Sequence, residues 1–293
     1  MQRAAYGIVV ASSVTHAYWN FLVKRSGGGQ VFVGLSKVLE ALVFAPIFVA
    51  ALLLGDRVSL TGAWPLILVG AALTLANYLA LGRAYETGDM AVVYPVARGA
   101  TLLFLPALGF AAFGERLSPL GWGAVASIVT GIVVLQLPAL DRAAMRLLIP
   151  RLASASVAYA LVAALAAAGY AVWDKRAVQT LPPFIYFYAY SALVAIAYAT
   201  FLGRRYASEV LRVEWRAHRW PILQVAVLNT VTYVLVLFAL RTGASTYVVA
   251  VRQLSIAVGA VMAWRFLGET FGAPRRLGVA LVVAGCVLVA MVR

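Results

Sequence analysis

Ten apolar runs, each about as long as a lipid bilayer is thick, follow one another from end to end of this chain. They cover approximately residues 4–23, 31–54, 63–85, 90–113, 119–137, 151–173, 182–202, 220–241, 244–267 and 275–292. A membrane-spanning helix needs roughly 20 mostly apolar residues. Hydrophobic residues make up 64% of the 293 positions, more surface than a water-soluble fold could hide. The expected class is therefore an all-α membrane protein of ten transmembrane helices, with no room for a sizeable extramembrane domain. Lys24, Arg25 and Gly27–Gly29 close the first run; Leu137, Pro138 and Asp141 close the fifth; Pro182 and Pro183 open the seventh. The one long polar connection, about 203–219, carries Arg204, Arg205, Glu209, Arg212, Glu214, Arg216 and Arg219, and reads as a surface-lying amphipathic turn. The first run holds His16, Trp19 and Asn20 and reads as a retained helix rather than a cleaved leader.

The net charge of +14 would raise the question of nucleic acid in a soluble protein. Here the Lys and Arg residues fall mostly between apolar runs, as topology signals and contacts for anionic lipid, so no nucleic-acid partner is expected. The single cysteine, Cys286, lies inside the last run and reads as a small hydrophobe.

The chain repeats itself. Arg98 matches Arg252, Gly114-Glu115 matches Gly268-Glu269 and Gly131 matches Gly285, all 154 positions apart, while Thr87-Gly88 matches Thr242-Gly243 one residue out of step. Lys24-Arg25 matches Lys175-Arg176 and Ala41-Leu42-Val43 matches Ala192-Leu193-Val194, both 151 apart. Two five-helix units follow, 1–140 and 141–293. Five is odd, so the second unit enters the membrane from the opposite side. Two inverted copies enclose a site near the midplane, and rocking between them gives alternating access.

The run from Ala80 through Tyr94, Pro95, Val96, Ala97, Arg98 and Gly99 to Gly114-Glu115, and its echo from Val249 through Arg252 to Gly268-Glu269, resembles the two repeats of the drug/metabolite transporter superfamily, in its EamA branch. His16-Ala17-Tyr18-Trp19-Asn20 also resembles the start of some members. The resemblance covers nearly the whole chain. It implies a ten-helix carrier of small metabolites, often an exporter, with a central cavity lined by both halves and no nucleotide-hydrolysing partner. Family members move very different solutes, so the resemblance stops at transport.

Charged side chains inside spans cost roughly 2.5–3.5 kcal/mol each on insertion scales, so they usually face a cavity. Lys37, Glu40, Arg98 and Arg252 each stand about 10–15 Å into their helices, near the middle of the hydrocarbon. Arg98 and Arg252 descend from opposite faces and form the first choice for a substrate clamp, suited to carboxylate or phosphonate oxygens. The alternative is that they pair with Glu40 or with carbonyls at broken helix ends and tie helices together. Lys37 and Glu40, three apart, either neutralise each other or leave Glu40 to couple protons. Their counterparts are Tyr188 and Ser191.

His16 and Asn20 share a face of the first helix, and with Trp19 they either receive an organic solute or pack helices together. Asn77 and Tyr78 align loosely with Asn229 and Thr230, and stand as pathway residues or interhelical bonds. Pro95, just after Tyr94, is expected to kink its helix, and Tyr247 takes Tyr94's part before Arg252. The expected substrate-binding set is Arg98, Arg252, Lys37, Glu40, His16, Trp19, Asn20, Asn77, Tyr78, Tyr94, Tyr188, Asn229 and Tyr247. Glu115 and Glu269 read as structural, bonding nearby backbone or loop arginines. Asp174 reads as a terminal ion pair with Lys175, and Phe184, Tyr186, Phe187, Tyr188 and Tyr190 as an interfacial belt.

On the amino-terminal side stand Arg3, Arg57, Arg116, Lys175, Arg176, Arg241 and Arg293, seven in all; on the other Lys24, Arg25, Arg83, Arg142, Arg146, Arg151, Arg204, Arg205, Arg212, Arg216, Arg219, Arg265, Arg275 and Arg276, fourteen in all. The positive-inside rule puts both termini outside the cytoplasm; the resemblance implies both inside.

The functional expectation is a secondary carrier of a small anionic or zwitterionic, amino-acid-like metabolite. It resides in a bacterial inner membrane as a monomer or weak homodimer, driven by protons or exchange, with no cofactor and no metal. A membrane-embedded enzyme on lipid-linked substrates, or a lipid scramblase, is the alternative. An enzyme would need clustered carboxylates, metal-ligand histidines or an activated nucleophile, and the ten acidic residues and two histidines, His16 and His218, are scattered.

Overall fold

The computed structural model describes residues 3–27, 29–54, 62–141 and 153–292, and among them there is no β-strand. The helices in chain order are α1 (Arg3–Arg25), α2 (Gln30–Leu54), α3 (Trp64–Thr87), α4 (Met90–Phe113), α5 (Pro119–Leu135), α6 (Ala155–Thr180), α7 (Pro183–Arg205), α8 (Ser208–Thr242), α9 (Ser245–Arg252), α10 (Leu254–Leu267) and α11 (Ala273–Met291). Eight helical stretches among the described residues are long and apolar enough to cross a bilayer, α9 and α10 counting as one, and α5 is a shorter apolar helix. The chain is a multi-pass, all-helical integral membrane protein. Arg57, Arg142, Arg146, Arg151 and Arg293, which enter the charge count, and the start of the sixth expected span lie outside the described residues.

Local chemistry sets the helix ends. Pro65, Pro119, Pro183 and Pro274 sit in first turns, where a proline loses no hydrogen bond. Ser118 caps α5 by accepting the Gly121 N–H at 3.1 Å. Gly114 and Gly268 close α4 and α10 at φ of 66° and 69°, a left-handed conformation that glycine adopts without strain. The N–H groups of Glu115 and Glu269 then bond back to Gly109 and Ala263 at 3.2 and 3.4 Å. The repeated Gly-Glu is thus a helix stop that aims a carboxylate back at the bundle.

Pro95 sits inside α4, which stays helical through it. Its missing N–H falls in the second turn, where only one bond is lost. The break occurs in the other half, at Gln253 between α9 and α10, directly after Arg252. Asp174 does not end its helix beside Lys175: α6 continues to Thr180, with Asp174 1% exposed and bonded elsewhere. The aromatic run opening α7 is no interfacial belt, since Tyr186, Phe187 and Tyr190 are buried in the bundle. The polar connection is helical too, forming the first part of α8 up to a bend at His218, with Val210, Val213 and Trp215 exposed.

Small residues bring helices close. The tightest pairing is α5 with α11, where a Cβ on Gly131 would lie 2.8 Å from the Gly278 carbonyl oxygen and one on Gly285 2.4 Å from Ile128. Ile128, Ile132 and Val282 fill the seam. The other main pairings are α3 with α6, α1 with α8, α4 with α6, α2 with α7 and α8, and α1 with α9 and α10. Polar side chains stitch these seams: Ser12 donates to the Thr232 carbonyl at 2.9 Å, Asn77 to Ala163 at 2.8 Å and Trp173 to Leu66 at 2.9 Å. The inward polar residues of α1, Ser12, Ser13 and His16, help make α1 less apolar than its neighbours.

Candidate functional site

These helices leave a chamber of about 120 Å³ in the bundle. Its wall takes His16 and Trp19 from α1, Lys37 from α2, Asn77, Tyr78 and Leu81 from α3, and Arg98 and Thr101 from α4. Ala167 and Tyr170 of α6, Phe187, Tyr190 and Ser191 of α7, and Asn229 and Tyr233 of α8 continue it to Arg252, the last residue of α9. A smaller space of about 30 Å³ shares His16, Arg98, Thr101, Tyr170, Tyr233 and Arg252, and adds Gln253 and Ser255.

The two arginines meet the same space, but among the described residues neither has a carboxylate within ion-pair distance. Both stack on tyrosine instead. The Arg98 guanidinium carbon is 5.8 Å from the Tyr94 ring centre and that of Arg252 is 5.2 Å from Tyr233. Among the described residues Arg252 Nε, His16 Nδ1 and Trp19 Nε1 are buried without a hydrogen-bond partner, and all three residues line the chamber. His16 and Trp19 also contact each other edge to face, 4.8 Å between ring centres.

Glu40 does not pair with either arginine, as one of the two readings of those residues would have it. Lys37 Nζ lies 3.3 Å from both its oxygens, Asn229 Nδ2 donates at 2.6 Å and Ser191 donates through its hydroxyl. Glu40 is 2% exposed and sits one layer behind the wall that Lys37, Ser191 and Asn229 form. Lys37 and Glu40 thus neutralise each other. Asp174 forms a second such layer, accepting the Tyr186 hydroxyl at 2.7 Å and the Tyr233 hydroxyl at 2.5 Å.

Of the expected residues, Arg98, Arg252, Lys37, His16, Trp19, Asn77, Tyr78 and Asn229 come together on the wall. Glu40 and Tyr94 stand behind it. Three others point elsewhere. Asn20 is exposed and donates to the His16 carbonyl of its own helix at 2.7 Å. Tyr188 donates to Ala41 at 2.9 Å and stacks on Phe48 at 4.4 Å. Tyr247 meets the Ser118 N–H at 3.4 Å against α5.

Tyr170, Tyr233, Ala167, Thr101 and Ser255 are wall residues outside the expected set, and the signal for them lay in the repeat. Ala167 and Tyr170 stand 151 positions after His16 and Trp19; Tyr233 follows Leu81 by the spacing that relates Asn229 to Asn77; Ser255 stands 154 after Thr101.

At the opposite ends of the bundle lie two lysine–glutamate pairs. Lys175 Nζ lies 2.5 Å from Glu115, which also accepts the Ser245 N–H at 3.0 Å and the Ser245 hydroxyl at 2.8 Å. Lys24 pairs with Glu269, which Arg275 also reaches at 2.9 Å. The hydrogen bond from Lys24, reinforced by its charge and by Arg275, holds the Glu269 carboxyl below its ordinary range.

Fold and chamber together define a polytopic helical membrane protein with a buried cationic, aromatic-walled cavity. Residues 154–291 match the EamA-like transporter family, and over that half of the chain the resemblance to the drug/metabolite transporter superfamily is borne out. The chain is also similar to the spermidine export proteins MdtI of Cronobacter sakazakii, at 36% identity over 66 residues, and of Salmonella arizonae, at 33% over 66. These alignments cover 22% of this chain and 61% of each relative's length. A solved crystal structure shares the fold over 99% of both chains with a TM-score of 0.74, at 15% sequence identity.

Proposed function

We propose that this chain is a secondary carrier that moves a small anionic or zwitterionic, amino-acid-like metabolite across a bacterial inner membrane, with export its working direction. The observation that carries the reading is a set of unpartnered polar groups on residues of one wall. Arg252 Nε, His16 Nδ1 and Trp19 Nε1 are buried without a hydrogen-bond partner among the described residues, and their side chains line the chamber together with Arg98. Burying a polar group without a partner costs roughly 1–3 kcal/mol on protein scales, and a charge costs more. A solute bearing a carboxylate or phosphonate would relieve those costs at once, through the planar guanidinium forks.

Inverted repeats supply the mechanism. Exchanging α1–α5 with α6–α11 turns the α1/α8 seam into α6/α3, the α4/α6 seam into α9–α10/α1 and the α2/α8 seam into α7/α3, while α5/α11 and α2/α7 map onto themselves. Glu40 and its counterpart Ser191 touch each other across the α2/α7 seam, as residues on a pseudo-twofold axis must. Two halves so related can rock about the chamber and expose it to one face at a time.

The relatives are named as export proteins, which favours transport over a membrane-embedded enzyme or a scramblase. Their named solute, spermidine, is a polycation. Here the wall carries Lys37, Arg98 and Arg252, and the nearby carboxylates of Glu40 and Asp174 are already held by donors. That wall repels a polyamine and attracts an anion.

The test is uptake into proteoliposomes of amino acids, phosphonates and sugar acids that first register in a thermal-shift screen. Competition by the anionic solute and not by spermidine is the expected result. If a transported solute is found and Arg98→Ala and Arg252→Ala both carry it at the original rate, the two arginines have no part in binding and the reading fails.

A further inference from the structure

The two lysine–glutamate pairs are not independent features of the surface. Lys24 and Lys175 are 151 positions apart, Glu115 and Glu269 are 154 apart, and each lysine binds the glutamate of the other half. Each pair joins the last part of a half's first helix, α1 or α6, to the Gly-Glu stop after the fourth crossing of the opposite half. Exchange of the halves converts one pair into the other.

Related in place, they differ in state. Side-chain exposure is 16% and 9% for Lys175 and Glu115, against 58% and 27% for Lys24 and Glu269. The buried pair is reinforced: Ser245 gives Glu115 its N–H and hydroxyl, and Lys175 also donates to the Gly243 carbonyl at 2.9 Å and lies 5.1 Å from the centre of the Phe113 ring. These bonds stitch α6, the end of α4 and the link from α8 to α9. Among the described residues Lys24 has Glu269 alone, and Glu269 divides itself with Arg275.

We infer that the Lys175–Glu115 and Lys24–Glu269 pairs are the two alternating gates of the carrier, the first closed and the second loosened in this conformation. Resting on the inverted-repeat reading above, the inference adds the residues that hold each side shut. A charge pair suits the task. When sequestered from water and met by extra donors it is strong, and when hydrated it contributes little, so burying one while wetting the other exchanges their strengths as the halves rock. Equivalent pairs on opposite faces keep the two end states close in energy, as a reversible carrier requires.

Accessibility measured without any solute tests this. In a Cys286→Ala background, Ala167→Cys places one thiol on the chamber wall of the full-length, reconstituted protein, and a membrane-impermeant maleimide is applied from each face. The parent is expected to label from the Lys24 face alone. Glu115→Gln should open the Lys175 face, raising labelling there about tenfold or more. The charge-swapped pair Lys175→Glu with Glu115→Lys should restore the one-sided pattern. Ser245→Ala, which keeps both charges, should give a smaller rise of about threefold, and it decides the matter if Glu115→Gln does not fold. Labelling that stays one-sided and equally slow in Glu115→Gln, or in Ser245→Ala when that variant decides, overturns the gates; so does a parent that labels from the Lys175 face. A chain that transports but shows no such switch loses only the gates. One that switches and moves no solute loses the carrier.

Discussion

Arg252 lies over the ring of Tyr233, 5.2 Å from guanidinium carbon to ring centre, and the hydroxyl of that same ring donates to the buried carboxylate of Asp174 at 2.5 Å. One tyrosine therefore does two separable things: its face holds the chamber cation, and its oxygen anchors α8 to α6. A cation over an aromatic face contributes about 0.5–2 kcal/mol, and a hydrogen bond to a charged group about 1.5–3 kcal/mol. Tyr233→Phe should lower thermal stability while leaving the apparent affinity for solute within about twofold, since the ring face remains. Tyr233→Leu should lower stability and also weaken affinity about three- to tenfold. Melting curves and transport KM, measured side by side, separate the two; equal KM values for the Leu and Phe variants would show that the stacking does not position Arg252.

Glu40 binds three helices together, through Lys37 on its own α2, Ser191 on α7 and Asn229 on α8. Removing one partner from a buried charge pair strands the other, at a cost of about 3–5 kcal/mol. Lys37→Met should therefore destabilise strongly, because it leaves Glu40 charged with only neutral donors. The double variant Lys37→Met with Glu40→Gln should recover much of that loss. Denaturation of the detergent-solubilised proteins is the measurement, and a double variant less stable than Lys37→Met alone contradicts the account.

Glycines in the α5/α11 seam allow a similarly sharp comparison. A Cβ at Gly131 meets the backbone of α11 at 2.8 Å, whereas one at Gly123 on the same helix has nothing within 4 Å. Backbone cannot step aside as a side chain can. Gly131→Leu should prise the helices apart and cost several kcal/mol, on the order of the larger overpacking penalties; Gly123→Leu should be nearly neutral or slightly stabilising, since it gains helix propensity. Comparable melting temperatures for the two variants would remove the close approach as the source of the pairing.

Helix positions were legible from the apolar runs because a span is too long to be mistaken for anything else. What the runs could not show is which polar residue faces which neighbour. Asp174 stands beside Lys175, so adjacency suggested an ion pair. On a helix, consecutive residues point about 100° apart, and in the structure the two serve different sites, Asp174 inward to Tyr186 and Tyr233, Lys175 across to Glu115. Arg98 and Arg252 were found from charge at depth. Tyr170 and Tyr233 were not, because tyrosine in a span raises no alarm by itself. Pairing each candidate with its repeat counterpart would have reached both, since Trp19 implies Tyr170 and Leu81 implies Tyr233. Tyr188 fails by the same logic, for it matches Lys37 in sequence yet bonds to Ala41.

The looser ion pair has its own signature in acid. The Glu269 carboxyl is held below its ordinary value of 4.5 chiefly by the hydrogen bond from Lys24, with burial opposing it and that lysine's charge and Arg275 adding to the lowering. A carboxyl depressed in the folded state stabilises that state at pH above its unfolded value, and the contribution is lost as pH falls through the folded one. Between pH 7 and about 5 the melting temperature should thus carry the full benefit of Glu269, and the difference from Glu269→Gln should be constant. Below the ordinary glutamate range that difference should shrink toward zero. Lys24→Met should leave Glu269 with Arg275 alone and move the onset of the acid loss upward in pH, toward the value of an unpaired glutamate. The effect will be small, because both partners are partly hydrated and salt screens them. A difference between parent and Glu269→Gln that persists unchanged below pH 4, or an onset that Lys24→Met leaves in place, would mean that the pair does not hold the two halves together on that face.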